Sequence, residues 1–289
     1  MEMVARIETC LEKAIERATS LPCPPKLAKA LHYAVFPGGA RVRPQLCVSV
    51  ASACGAEHEE IADGTAAAIE MLHCASLVHD DLPCFDDADL RRGKPSVHKL
   101  YGEPLAVLAG DALIVEAFRT ICLSSVSQPD RMGPLIQCVA DAVGMPSGIV
   151  AGQAWESEKQ IDIKEYHRAK TGSLFVGAVT AGAVSAGQDP AEWRPLGELI
   201  GRAYQLADDL LDAVGTEQEC GKPVDQDTLL ARPNAVAKYG VDGAMQHLRN
   251  TVKEAAESIP DCNGAEELRG LIIAQATRLV PSKLTKSAA

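Results

Sequence analysis

The chain has 289 residues, 47% of them apolar, which is enough for one large domain or two small ones with a substantial buried core. A net charge of −11 argues against a nucleic-acid-binding protein, which would need a basic face, and no apolar run reaches the roughly 18 uncharged residues of a membrane span. Ten scattered cysteines without a CxxC pair, and an N-terminus without the apolar stretch of a signal peptide, predict a cytoplasmic protein with reduced thiols rather than a disulfide framework or a zinc site.

Helical periodicity dominates the chain, and strand-like alternation is almost absent. Short breaks rich in glycine and proline separate the helical patterns. There is no internal repeat and no linker long enough to divide the chain, so residues 1–289 are predicted to form a single all-α domain, a bundle of about ten helices. The predicted helices are 3–19, 25–36, 44–54, 58–82, 104–125, 130–145, 162–184, 190–214 and 228–257, with a last one after residue 264.

A first group of acidic residues lies at the end of the predicted helix 58–82, which is apolar on nearly every side and is therefore predicted to be buried. Pro83 disfavours helical geometry at the residue before it, so Asp80 and Asp81 should close the helix and Asp86 should lie on the loop beyond. Acids at a helix C-terminus oppose the helix dipole at a cost of up to about 1 kcal/mol. A solvated helix end is the simpler interpretation, but a bound cation better explains several acids at this place.

A second group lies on the predicted helix 190–214. Gln205, Asp208, Asp209 and Asp212 are spaced i, i+3, i+4 and i+7, so they share one face of an otherwise apolar helix end. Carboxylates this close repel one another, and a divalent cation relieves the repulsion. Oxygen ligands of this kind are typical of Mg²⁺ bound with a phosphate substrate, whereas a calcium-binding EF-hand would need a glycine and a terminal glutamate that neither group has. Together the two groups predict facing walls of one cleft that binds a metal–diphosphate.

At these residues the chain resembles the trans-isoprenyl diphosphate synthases, the polyprenyl synthetase family that includes farnesyl and geranylgeranyl diphosphate synthases. Residues 80–86 (DDLPCFD) match the first aspartate-rich motif of the family, and residues 204–212 (YQLADDLLD) match the second. The resemblance covers nearly the whole chain in the family's order and is greatest with geranylgeranyl synthases of the carotenoid pathway in photosynthetic bacteria. The other matching segments are PGGARVRP (37–44), MLHCASLVH (71–79), LRRGKP (90–95), GQ (152–153), YHRAKTG (166–172) and GK (221–222).

The resemblance implies the type I isoprenoid synthase fold, with helices around a central cleft, and a homodimer. It implies head-to-tail (1′-4) condensation of isopentenyl diphosphate with dimethylallyl, geranyl or farnesyl diphosphate, through ionisation, condensation and elimination. Three Mg²⁺ ions, which Mn²⁺ can replace, are expected to bind the allylic diphosphate. No side chain is an obvious base for the final proton loss, so the departing diphosphate is expected to accept that proton.

The resemblance also implies roles for individual residues. Arginine forks suit phosphate oxygens, and lysine supplies a compact positive charge. A histidine on an apolar helix is more often a satisfied core group, but His73 lies seven residues before Asp80 on the same face. The expected metal ligands are Asp80, Asp81, Asp86, Asp208, Asp209 and Asp212. The expected contacts of the allylic diphosphate are Arg91, Lys170, Thr171, Gln205 and Lys222, and those of isopentenyl diphosphate are Arg43, His73 and Arg92. The central catalytic set is Asp80, Asp86, Asp208, Arg91 and Lys170.

Two positions differ from the family pattern, and one pair bears on product length. Ala40 stands where the family usually has a lysine that contacts isopentenyl diphosphate, and we expect Arg41 to compensate for it. Glu156 stands where the family commonly has an aspartate. Ala75 and Ser76 lie just before the first motif, where farnesyl synthases have a bulky aromatic residue, so a C20 product, geranylgeranyl diphosphate, is expected.

Three alternatives stay open. The first is a farnesyl diphosphate synthase, and the second is a non-catalytic subunit that regulates a prenyl synthase, for which Ala40 is the motive. The third is a class I terpene cyclase, which would need neither an isopentenyl site nor a second aspartate-rich motif of this form.

Overall fold

The computed structural model describes residues 2–36, 39–214 and 234–279. Within these ranges the chain forms α-helices, one two-stranded ribbon and two short irregular helical turns. The helices in chain order are α1 (Glu2–Ala18), α2 (Pro25–Val35), α3 (Val42–Ala53), α4 (Glu59–Asp80), α5 (Val97–Tyr101), α6 (Glu103–Ser124), α7 (Pro129–Val143), α8 (Ile149–Ala154), α9 (Ile163–His167), α10 (Ser173–Ser185), α11 (Pro190–Val214), α12 (Ala235–Glu257) and α13 (Ala265–Leu279).

The predicted all-α class is confirmed. Among the residues described, ten helices are eleven residues or longer, and each predicted helical range overlaps one of them. The short helices α5 and α8 lie outside the predicted helices, because five or six residues are too few to show a periodic pattern. The predicted helix 162–184 is interrupted by a π-helical turn, Arg168–Gly172, that separates α9 from α10.

The ribbon follows the first acidic motif. Its strands, β1 (Leu90–Arg91) and β2 (Lys94–Pro95), pair antiparallel with Leu90 opposite Pro95. Arg92 and Gly93 form the turn with φ of 53° and 74°, and two positive values are what a tight type I′ hairpin turn requires. Strands of two residues show no alternation, so the sequence pattern predicts only a break at this place.

The core is centred on α4 and α10. Helix α4 contacts α1, α3, α6 and α10, and α10 also contacts α7 and α11. Every residue of α10 except Val176 is buried, and most are Ala, Gly, Ser or Thr, whose small side chains let neighbouring helices approach closely. Each fully buried Leu, Ile or Phe in this core contributes about 1.5–3 kcal/mol relative to an exposed one. The apolar sequence of α4 and α10 is thus explained by burial on all sides.

Helix α4 alone, among the helices described, is long and apolar enough to cross a lipid bilayer by length and composition. Of its most apolar 18-residue window, 83% is buried inside the fold, which is what a core helix shows. A second, smaller apolar cluster joins α11 to α12 through residues that include Ala207, Leu210, Ala244 and Leu248.

Candidate active site

The first acidic motif is at the C-terminus of α4. Asp80 is the last residue of the helix and Asp81 is its C-cap, while Asp86 lies exposed on the turn that follows, as predicted. The backbone N–H of Asp86 donates to the carbonyl of Asp80 at 3.0 Å, which folds the turn back over the helix end. Pro83 prevents the helix from continuing, and the chain therefore brings Asp86 beside Asp80.

Asp80, Asp86 and Glu156 form a close carboxylate cluster. One oxygen from each lies within 4.8 Å of the other two. Asp80 Oδ1 is buried and, among the residues described, accepts no hydrogen bond. Burial raises the pKa of the Asp80 carboxyl, and nearby Lys170 opposes this shift. An orphaned buried oxygen beside two further carboxylates fits a hard divalent cation such as Mg²⁺.

Glu156 is the site residue that the motif-based assignment missed. It lies on a short 3₁₀ turn, Trp155–Ser157, directly after α8. Its Oε1 accepts from the Tyr166 hydroxyl at 2.6 Å and from Lys170 Nζ, and its Oε2 accepts from Gln153 Nε2 at 3.0 Å. The sequence signal was the carboxylate three residues after Gln153, which identifies an acidic position but not its distance from Asp80.

The π-helical turn places Lys170 against this cluster. Lys170 Nζ lies 3.6 Å from Asp80 Oδ1. Helix α8 approaches the turn so closely that a Cβ on Gly152 would be 2.3 Å from the Lys170 backbone nitrogen. Helix α11 approaches from another side, where a Cβ on Gly201 would be 2.7 Å from the Gly172 Cα. The turn is packed against two glycines, and π-bulges of this kind are frequent at functional sites.

The same turn is linked to the second acidic motif. The Thr171 hydroxyl donates to Gln205 Oε1 at 2.9 Å, and Gln205 Nε2 donates to Asp209 Oδ1 at 2.8 Å. The structure therefore brings Lys170, Thr171 and Gln205 together with both aspartate-rich segments.

The three aspartates of the second motif have different surroundings. Asp208 is exposed, whereas Asp209 and Asp212 are buried. Asp209 Oδ2 accepts from the Ala235 N–H at 2.7 Å, so this carboxylate neutralises the N-terminus of α12. Burial raises the pKa of the Asp209 carboxyl in spite of that bond. The shared face predicted from spacing exists on α11, but its members differ in exposure.

Asp81 pairs with Arg91 of the ribbon. Arg91 Nε donates to Asp81 Oδ1 at 3.0 Å, and Arg91 Nη2 donates to the same oxygen. Asp81 is buried and Arg91 is half-buried. Burial raises the pKa of the Asp81 carboxyl, and the guanidinium opposes this shift. The ribbon thus places the positive charge of Arg91 next to the C-terminus of α4.

The predicted isopentenyl contacts also converge. Arg43, in the first turn of α3, stacks its guanidinium carbon 4.3 Å from the centroid of the Phe175 ring, and no described group accepts a hydrogen bond from its buried Nε. Burial, followed by the charges of Arg43 and Arg92, lowers the pKa of His73 well below its usual range. The guanidinium of Arg92 packs against Gly39. Two arginines and a neutral histidine at one place fit an anion such as a diphosphate.

The expectation that Arg41 compensates for Ala40 is wrong. Ala40 is exposed, but the Arg41 side chain is buried and turned away into hydrogen bonds with Glu8, Glu70 and the Val35 carbonyl. A buried guanidinium that already binds Glu8 and Glu70 does not replace a lysine at the surface of the pocket.

Of the remaining predicted residues, Ala75 is 1% exposed in the core and Ser76 is half-buried, with its hydroxyl donating to the His73 carbonyl at 2.8 Å. Lys222 lies outside the described residues, as do residues 37–38 of the glycine-rich motif.

A family model described as polyprenyl synthetase matches residues 24–268. A geranylgeranyl diphosphate synthase of Cereibacter sphaeroides is 50% identical over 284 residues, covering 98% of this chain and 99% of that protein. A geranylgeranyl diphosphate synthase of Rhodobacter capsulatus is 49% identical and covers 94% of each. Among solved structures, an FPP/GFPP synthase from Zymomonas mobilis has a TM-score of 0.79 at 31% identity and covers 95% of this chain and 99% of that one.

Proposed function

Because the chain belongs to the polyprenyl synthetase family and is a prenyltransferase, we propose that it condenses isopentenyl diphosphate with dimethylallyl, geranyl and farnesyl diphosphate, and that geranylgeranyl diphosphate is its main product. The observation that supports this best is the arrangement at the end of α4. Asp80 belongs to the carboxylate cluster, and His73 is close enough to Arg43 and Arg92 for their charges to lower its pKa. Seven residues separate them, about 10 Å along a helix at 1.5 Å per residue, which is a suitable spacing for two neighbouring diphosphates.

We propose that Asp80, Asp86 and Asp208 bind Mg²⁺, with Glu156 as a further ligand and with Asp81, Asp209 and Asp212 nearby. The donor set supports this, because it consists of oxygens and includes the orphaned Oδ1 of Asp80. Three ions, replaceable by Mn²⁺, would supply the charge that stabilises the departing diphosphate.

The residues of the chain itself have defined tasks in this proposal. Lys170 and Arg91 bind the oxygens of the allylic diphosphate, and Lys222 and Thr171 add contacts. The carbonyl of Lys170, together with Thr171 and Gln205, would stabilise electrostatically the carbocation that forms when the C–O bond breaks. Arg43, His73 and Arg92 bind isopentenyl diphosphate so that its double bond lies next to that carbon. The new chain then loses a proton to the departed diphosphate.

The C20 product is proposed because Ala75 and Ser76 are small. The growing chain extends away from Asp80 along α4, and no bulky side chain closes the path at these two positions. Burying five further carbons favours the longer product by about 3–4 kcal/mol, at roughly 0.8 kcal/mol per CH₂ group.

We also propose that residues 1–289 form one polyprenyl synthetase domain that assembles as a homodimer in the cytoplasm. Helix α6 supports the dimer, because it exposes four large apolar side chains along its length: Val107, Leu108, Val115 and Leu123. A second copy of the same helix would cover them. The cysteines in the described part of the chain are all free thiols, which suits a reducing compartment.

The test is incubation with labelled isopentenyl diphosphate, each allylic diphosphate in turn, and Mg²⁺, followed by chromatography of the dephosphorylated products. We expect C20 as the main product and no turnover in excess chelator. A main product of C15 would identify a farnesyl synthase instead. Absence of incorporation with every primer would favour a regulatory subunit.

A further inference from the structure

Arg41 is a buried arginine that neither aspartate motif nor the proposed substrate contacts include. Its side chain is 2% exposed. Nε donates to Glu8 Oε1 at 2.7 Å, Nη1 to Glu70 Oε1 at 2.7 Å, and Nη2 to the Val35 carbonyl at 3.0 Å. These partners come from three helices, α1, α4 and α2, so one guanidinium joins all three to the start of α3.

The backbone at Arg41 is also unusual. Its φ of 51° and ψ of 37° are left-handed, a region that a non-glycine residue rarely adopts. Such a conformation persists only where the surroundings determine it, and here the hydrogen bonds of the guanidinium to Glu8, Glu70 and Val35 do so. Arg41 is the N-cap of α3, and Arg43 lies two residues later in the first turn. The direction in which Arg43 leaves the segment therefore depends on how Arg41 is anchored.

Arg41 links the two helices that carry Arg43 and His73, two of the predicted contacts of isopentenyl diphosphate. Glu70 lies one turn before His73 on α4, so both face the same side of that helix. The hydrogen bond from Arg41 to Glu70 thus fixes the segment that bears Arg43 against the helix that bears His73. Glu8 fixes it from the other side, from α1.

We propose that Arg41, held by Glu8 and Glu70, is a positioning residue that sets Arg43 in place relative to His73 for binding isopentenyl diphosphate. The inference rests on the proposed function, since it concerns one of the two substrates. An alanine side chain at position 40 cannot bind phosphate, so the contacts of Arg43, His73 and Arg92 must be placed accurately.

The chain offers a matched control. Arg6 of α1 donates to Asp63 of α4 at 2.9 and 2.8 Å, so it also joins these two helices by charged hydrogen bonds. Asp63 lies about two turns before Glu70, away from residues 39–43. Loss of the Arg6 bonds weakens the α1–α4 contact in the same way but leaves the anchor of Arg41 intact.

The experiment compares four variants of the full chain: Glu8→Gln, Arg41→Lys, Arg41→Gln and Arg6→Gln. Steady-state kinetics give KM for each substrate and kcat, and calorimetry gives the Kd for isopentenyl diphosphate without turnover. We expect Arg41→Gln to raise KM and Kd for isopentenyl diphosphate about tenfold, the loss of roughly one good phosphate contact. Glu8→Gln should raise both by a smaller factor, and Arg41→Lys should recover part of the loss. KM for the allylic diphosphate should not change, and Arg6→Gln should lower only the melting temperature.

The outcomes separate this inference from the proposed function. If the wild type elongates normally but Glu8→Gln and Arg41→Lys affect isopentenyl binding no more than Arg6→Gln does, the inference is wrong and the function stands. Equal increases of KM for both substrates also contradict it, because a general loss of structure would act in that way. Should Arg41→Gln not fold, Glu8→Gln decides the matter, since Glu8 is partly exposed and its loss leaves no charge buried alone. A wild type that does not bind isopentenyl diphosphate would overturn both proposals.

Discussion

Replacing Gly152 with alanine should disable the site without touching any charged group. The new Cβ would be 2.3 Å from the Lys170 nitrogen and 2.4 Å from its Cα, both backbone atoms that cannot rotate away. Ordinary contact begins near 3.4 Å, so α8 and the π-helical turn must separate by about 1 Å. Overpacking of this kind costs about 1–3 kcal/mol. A displacement of about 1 Å at a catalytic group lowers the rate about 100-fold.

The assay is kcat and kcat/KM for farnesyl diphosphate at saturating isopentenyl diphosphate, with a thermal melt of each variant. Gly133→Ala is the matched control, because nothing lies within 4 Å of its added Cβ and Gly133 is inside helix α7. It should keep full activity and gain about 0.5–1 kcal/mol of stability, the usual benefit of alanine over glycine in a helix. If Gly152→Ala retains more than about a third of wild-type activity, then the close approach of α8 does not position Lys170.

The other predictions concern the metal cleft and the two substrate pockets. Asp80→Ala and Asp208→Ala should each lower kcat by several orders of magnitude with an unchanged circular dichroism spectrum, and near-normal rates in both would remove the metal cleft from the mechanism. Ala40→Lys should lower KM for isopentenyl diphosphate, or leave it unchanged, without effect on KM for the allylic substrate; an increase would place residue 40 outside the pocket. Ala75→Phe should shorten the main product from C20 to C15 by chromatography, and a C20 product from that variant would place the pocket floor elsewhere. Because burial raises the pKa of Asp80, its charge destabilises the folded metal-free chain at neutral pH, so Asp80→Asn should raise the melting temperature at pH 7. That gain should shrink as the pH falls and disappear below the ordinary aspartate pKa of 3.8, because the wild-type carboxyl is then protonated in both the folded and the unfolded state.

Much of the architecture was predictable because its causes are local in the sequence. A proline at position 83 is enough to end α4 and to place Asp80 at the helix terminus, and helical spacing is enough to put Gln205 and Asp208 on one face. Burial of α4 followed from its apolar composition. Each of these predictions used residues within a few turns of one another.

The rest depends on contacts between distant segments, which spacing does not report. The distance from Glu156 to Asp80 depends on how α8 packs against the π-helical turn. The turn itself cannot be predicted from the sequence, because it leaves no mark in the spacing of the apolar residues. The same is true of Arg41, whose partners Glu8 and Glu70 are 33 and 29 residues away. A charged residue in a basic motif looks the same in sequence whether it points to the substrate or into the protein.

The position of Lys170 has a consequence for the order in which ligands bind. Its ammonium group is hydrogen-bonded to Glu156 and lies 3.6 Å from Asp80, so the acidic cluster already holds a cation that belongs to the chain. A bare divalent ion would meet partly neutralised carboxylates and would leave Lys170 beside another positive charge. A metal that arrives together with a diphosphate gives the ammonium a new anionic partner as it leaves the carboxylates. We therefore expect Mg²⁺ alone to bind weakly and the allylic diphosphate to bind together with its metal. The fraction of the protein that holds metal then depends on the concentration of the allylic diphosphate rather than on the concentration of Mg²⁺ in the cell.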